Sequence, residues 1–109
     1  MVRVMVRSGL ILAAGVCLVV GSGCARSPEA KKARHLERGE KFFARKDYKD
    51  AVIEYKNVLR LEPANEVAIR KLGLAHYQSG ELQEAFPYLR KAAELDPQNE
   101  DVRLKLATV

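Results

Sequence analysis

Two hydrophobic patterns divide the chain. From Leu10 to Val20 the residues are uninterruptedly apolar or small, whereas beyond residue 30 apolar positions are interleaved with charged ones and broken at intervals by Pro and Asn. Interleaving of this kind is what helices with one buried face require. It predicts an all-α fold, with helices over 30–45, 48–61, 66–78, 82–95 and 100–108. Pro87 falls inside the fourth, beyond the first turn where Pro is tolerated, and a local kink is expected there.

The helical part repeats itself every 34 residues. Gly39 recurs as Gly73, Ala51 as Ala85, Leu61 as Leu95, Pro63 as Pro97 and Asn65 as Asn99. The stretch from Asp47 to Ala51 answers that from Glu81 to Ala85, and Leu61–Glu66 answers Leu95–Glu100. A fixed period of this length is the mark of stacked helical units that cannot bury their apolar faces singly. Small residues at Gly39, Ala51, Gly73 and Ala85 allow two antiparallel helices to approach closely, while Phe42, Tyr55, Leu72 and Leu89 fill the seam between them. Pro63 and Pro97 end the second helix of each pair, because Pro lacks an N–H and disfavours helix in the residue before it. Asn65 and Asn99 are then placed to cap the following helix, with Glu66 and Glu100 at its positive end.

These residues resemble the tetratricopeptide (TPR) pattern, in which an aromatic, a Leu-Gly pair and a Tyr mark the first helix and Ala, a large apolar residue and Pro mark the second. The marks are Ile69, Leu72, Gly73, His76, Tyr77, Ala85, Leu89, Ala92 and Pro97 in one repeat. In the other they are Gly39, Phe42, Phe43, Ala51, Tyr55, Val58 and Pro63. The resemblance implies a short solenoid with repeats at 32–65 and 66–99 and the first helix of a third at 100–109. It also implies a concave face of stacked first helices that grips a peptide or protein partner. Carried over position by position, that groove is formed by Leu36, Glu40, Phe43, Ala44, Arg70, Leu74, Tyr77, Gln78 and Leu104. Phe43 and Tyr77 stand one period apart, either as an aromatic pair offered to the partner or as half-buried packing residues. Tyr48, Tyr55 and Tyr88 are assigned to packing or to the convex surface.

Charge adds a second possibility. The formal net charge is +5, but Arg3 and Arg7 precede the apolar run, and the 17 basic and 14 acidic side chains that remain leave only +3. Lys31, Arg34, Arg38, Lys41 and Arg45 recur at three- and four-residue steps and form one stripe. One period later Arg34, Arg38 and Lys41 correspond to Ala68, Leu72 and Ala75, so the stripe has the character of a polar cap on the first repeat. The alternative is a binding surface for anionic membranes or nucleic acid; no aromatic platform interleaves the stripe, which disfavours a nucleic-acid partner.

The start of the chain is expected to be an address. Two arginines with no acid, followed by an apolar run of about 11 residues, form a secretory signal too short to span a bilayer, which takes roughly 20 residues. Gly21-Ser22-Gly23-Cys24-Ala25 resembles a bacterial lipobox, with Gly21 where that motif usually has Leu. The resemblance implies a signal peptide over 1–23, lipidation of Cys24 with a tether over 24–31, and, from Ala25, the periplasmic face of the outer membrane in a Gram-negative host. A Cys-anchored lead running into repeats is similar to the start of long TPR lipoproteins associated with exosortase and exopolysaccharide export.

Catalysis has no sequence support. His35 and His76 lie 41 residues apart without ligands at metal spacing, no Gly-rich phosphate loop or nucleophile elbow occurs, and both cysteines, Cys17 and Cys24, fall in the first quarter. No cofactor, metal or enzymatic activity is expected. Val102, Leu106 and the adjoining face of the fourth helix are expected to be covered by further repeats, by a partner or by a second copy.

Overall fold

The computed structural model describes residues 27–109, all of whose regular structure is helical. The helices are α1 (Pro28–Ala44), α2 (Tyr48–Leu61), α3 (Glu66–Gln78), α4 (Leu82–Leu95) and α5 (Glu100–Thr108). The expected signal peptide and Cys24 lie outside the described residues.

Boundaries follow local chemistry. α1 begins two residues before the expected position, inside the stretch read as a tether. Ser27 caps it by accepting from the Ala30 N–H at 3.1 Å, and Pro28 occupies the first turn, where its missing N–H costs nothing. Asn65 and Asn99 cap α3 and α5, accepting from the Ala68 and Val102 N–H groups at 2.9 and 3.0 Å. Glu62 and Asp96, the residues before Pro63 and Pro97, leave the helical region, Glu62 as extended backbone and Asp96 at φ −136° and ψ 85°, and stop α2 and α4. α4 runs through Pro87 as one helix.

The two hairpin turns are also copies one period apart. After α1 the N–H groups of Lys46 and Asp47 donate to the carbonyls of Phe43 and Phe42; after α3 those of Gly80 and Glu81 donate to Tyr77 and His76. This closure needs a left-handed residue, supplied by Gly80 at φ 76° and by Lys46 at φ 65°. A side chain in that region costs roughly 1 kcal/mol or more. Lys46→Gly should therefore raise the unfolding free energy by about 0.5–1 kcal/mol, read as a higher denaturant midpoint at unchanged slope.

Packing proceeds by neighbours: each helix contacts the next, and α5 also touches α3. One core joins Ala51, Val52, Tyr55 and Val58 of α2 to Ala68, Leu72 and Ala75 of α3; the other joins Ile69 of α3 to Ala85, Leu89 and Ala92 of α4 and Val102 of α5. Both glycines lie at close approaches between helices. A Cβ built on Gly39 would stand 2.8 Å from the Tyr55 ring, and one on Gly73 would stand 2.9 Å from Leu89 Cδ2. Ala51 and Ala85 are fully buried opposite them. The start of α1 is tied to the α2–α3 joint by Lys32, which bridges Glu29 at 2.9 Å and Glu62 at 3.0 Å. Asn65 and Lys32 together hold the Glu62 carboxyl below its usual range.

Candidate partner-binding face

Side chains join the first helices of successive hairpins: Lys71 of α3 reaches Phe43 and Glu40 of α1, and α5 touches α3. Contacts from α1 to α3 fix the upper part. Lys71 of α3 places its Nζ 4.5 Å from the centre of the Phe43 ring and 3.4 Å from Glu40 Oε2. Glu40 in turn accepts from the Tyr55 hydroxyl at 3.2 Å, so one carboxylate links α1, α2 and α3. Phe43 also packs edge-on against Tyr48, ring centres 5.3 Å apart.

The arrangement repeats at the next step. Lys105 of α5 lies 5.6 Å from the Tyr77 ring centre and pairs with Asp101, while the Tyr77 and Thr108 hydroxyls are 3.0 Å apart. Both lysines and both aromatics are one period apart. The face is thus a ladder in which an aromatic of one repeat is covered by an ammonium of the next. Each such contact is worth about 0.5–1 kcal/mol where solvent reaches it.

The expected groove residues divide between two surroundings. Leu36, Phe43, Leu74 and Tyr77 are half-buried and pack against the cores. Glu40, Ala44, Gln78 and Leu104 are exposed, Leu104 at 68%. Arg70 is half-buried and lines a small cleft with Ala92, Leu95, Asp96 and Asn99, toward the α4–α5 joint. Phe43 and Tyr77 are therefore both packed and accessible. Lys71 and Lys105 were missed from sequence; their recurrence at the period was the available signal.

Elsewhere the polar groups serve packing. Tyr55 is fully buried, and Tyr48 and Tyr88 flank the first core. His35 Nδ1 stands 2.6 Å from Glu54 Oε2 across the α1–α2 seam. His76 stacks on Tyr88, and its buried Nδ1 lies 3.6 Å from Glu81 Oε1 without a hydrogen bond. Among the described residues no three His, Cys, Asp or Glu side chains gather as a metal site. Lys31, Arg34, Arg38, Lys41 and Arg45 are exposed, whereas Ala68, Leu72 and Ala75 one period later are fully buried.

Tyr55 carries the clearest titration signature. Burial, and then the charge and hydrogen bond of Glu40, push its phenol above the ordinary value near 10. The contribution of a raised group is complete below the unfolded-state value and is lost as pH rises toward the folded one. Stability should thus fall from about pH 10 upward. An ultraviolet phenolate titration should show one tyrosine ionising only as helicity is lost, and Tyr55→Phe should abolish that late phase.

The family described as TPR repeat matches residues 39–80, and the family described as Tetratricopeptide repeat matches residues 67–99. The matches run together over residues 39–99, more than half of the 109-residue sequence, on the hairpins whose turns, caps and small residues recur at 34-residue spacing; the chain belongs to the tetratricopeptide repeat family.

Proposed function

We propose that the chain is a lipid-anchored adaptor that holds a peptide or protein partner within the bacterial envelope, in polysaccharide export or envelope assembly. TPR repeats indicate a protein-interaction scaffold, and anchoring is argued from Cys24 and the apolar run before it. The observation that carries the binding role is the repeated aromatic on the shared first-helix face. Phe43 and Tyr77 are accessible, pre-ordered by Lys71 and Lys105, and flanked by exposed Glu40, Ala44 and Gln78. Rigid aromatics with an open edge are good anchors because little side-chain entropy remains to be lost.

Affinity capture from envelope extracts tests the binding role. Phe43→Ala with Tyr77→Ala should lower recovery of the bound partner at least tenfold while helicity is kept; equal recovery would remove the face from the account. Fatty-acid labelling that persists in Cys24→Ala would remove the anchor. A second reading rests on the exposed basic stripe of α1, acting on an anionic surface. It requires binding that falls steeply with salt and is lost when Arg34, Arg38 and Lys41 become Ala.

A further inference from the structure

Charge on α1 is sorted by direction as well as by amount. At about 100° per residue, Lys31, Arg34, Arg38, Lys41 and Arg45 fall within a sector of about 80°, and all five are exposed. The acids of the helix, Glu29, Glu37 and Glu40, lie outside that sector. Glu29 bridges Lys32 and Glu40 meets Lys71 of α3, while Glu37 reaches only the edge of the stripe, at Lys41. A polar cap on a first repeat needs hydrophilic side chains, but it does not need them all of one sign. The same asymmetry runs along the chain. Residues 27–46 carry 7 basic and 3 acidic side chains, net +4, whereas residues 47–109 carry 9 basic and 11 acidic, net −2.

The second observation is how close this helix begins to Cys24. α1 starts at Pro28, so only Ala25 and Arg26 separate Cys24 from the capping Ser27. Three residue steps span at most roughly 11 Å. A lipid on Cys24 would hold the start of the stripe near one Debye length of the surface, about 8 Å at physiological salt. Contact with that surface is then intramolecular, so a stripe too weak to bind membranes by itself suffices.

We infer that α1 lies along the anionic surface of the membrane that holds Cys24, basic stripe down, and that this contact sets the direction of the stack. The inference rests on the lipid anchor proposed above. Lipid phosphate is the occupant because it is the anion within reach of a helix tied so closely to its anchor. Phe43 lies roughly 160° around α1 from the centre of the stripe, on the side where Lys71 of α3 covers it. With the stripe down, α3 and the later helices stack away from the bilayer. The net-acidic remainder then points away from like charge, and Phe43 and Tyr77 stay open to a partner arriving from the aqueous side.

The test uses the lipidated chain, purified from membranes and reconstituted into vesicles, with its mass establishing the acyl groups on Cys24. Cleavage removes Cys17 and acylation consumes the Cys24 thiol. A cysteine introduced at Arg45 or at Ser79, both exposed and one period apart, therefore takes a fluorophore selectively. Nitroxide on the lipid head groups quenches whichever position approaches the surface. α1 is 17 residues long, about 25 Å, so position 45 comes near only if the helix lies flat. On vesicles containing phosphatidylglycerol, Arg45→Cys should be quenched at least about threefold more than Ser79→Cys, and on phosphatidylcholine alone the difference should disappear. Lys31→Glu with Arg38→Glu, both exposed and checked by circular dichroism, should also remove it while the chain stays vesicle-bound. Equal quenching at both positions on anionic vesicles, a difference that persists on phosphatidylcholine, or indifference to the charge reversals would overturn the inference alone. A mass without lipid on Cys24 would overturn the anchor, and the inference with it.

Discussion

Gly73→Val is expected to lower the unfolding free energy by about 2–3 kcal/mol. The first added carbon would stand 2.9 Å from Leu89 Cδ2 and 3.0 Å from the backbone nitrogen of Leu89. A side chain can swing aside, but a helix backbone moves only by separating α3 from α4. That separation opens the contacts of Ala85, Leu89 and Ala92 in the second core. Losing the flexibility of Gly returns part of the cost, less for β-branched Val than for Ala. Unfolding by urea, followed by far-ultraviolet circular dichroism, measures the difference. A small domain has only about 5–15 kcal/mol in all, so the midpoint shift should be large.

Leu89→Ala should cost about 2–5 kcal/mol by the opposite route. Leu89 is fully buried, and its side chain is what fills the space left by the missing side chain of Gly73. Truncation leaves a cavity that α3 can close only by moving toward α4, and the helices are already near their closest approach. The same denaturation experiment reads this change. A loss below about 0.5 kcal/mol, the range of ordinary surface substitutions, would mean that the seam is not packed as described.

The period made most of the fold legible, because breakers and small residues recur where geometry demands them. Asn65, Asn99, Pro63 and Pro97 each act through bonds within a few residues, so their roles can be read locally. α1 starts two residues before the stretch that the apolar pattern predicts, because Ser27 and Pro28 form a start signal outside that pattern. Lys46 was overlooked for another reason. It adopts a backbone conformation that its residue type disfavours, and only comparison with Gly80 one period later exposes it.

Site residues were less legible. Position within a repeat says that Phe43 and Tyr77 point toward the shared face, but not what lies over them. That depends on how closely α1, α3 and α5 stand, which the spacing of residues along one helix does not contain. Lys71 and Lys105 therefore read as solvated charges until the neighbouring helix is in place. Leu104 shows the converse. It matches Leu36 in sequence, yet Leu36 packs against the first core while Leu104 is exposed.

The central claim is that paired small and large residues, repeated at 34-residue spacing, set the helix separation on which the stack depends. A double-mutant cycle of Gly73→Val and Leu89→Ala measures it directly. The added Val should occupy the volume vacated by Leu89, so the two losses should fall short of additivity by at least about 1 kcal/mol. Additive losses within about 0.3 kcal/mol would show that positions 73 and 89 do not meet, and would contradict the account.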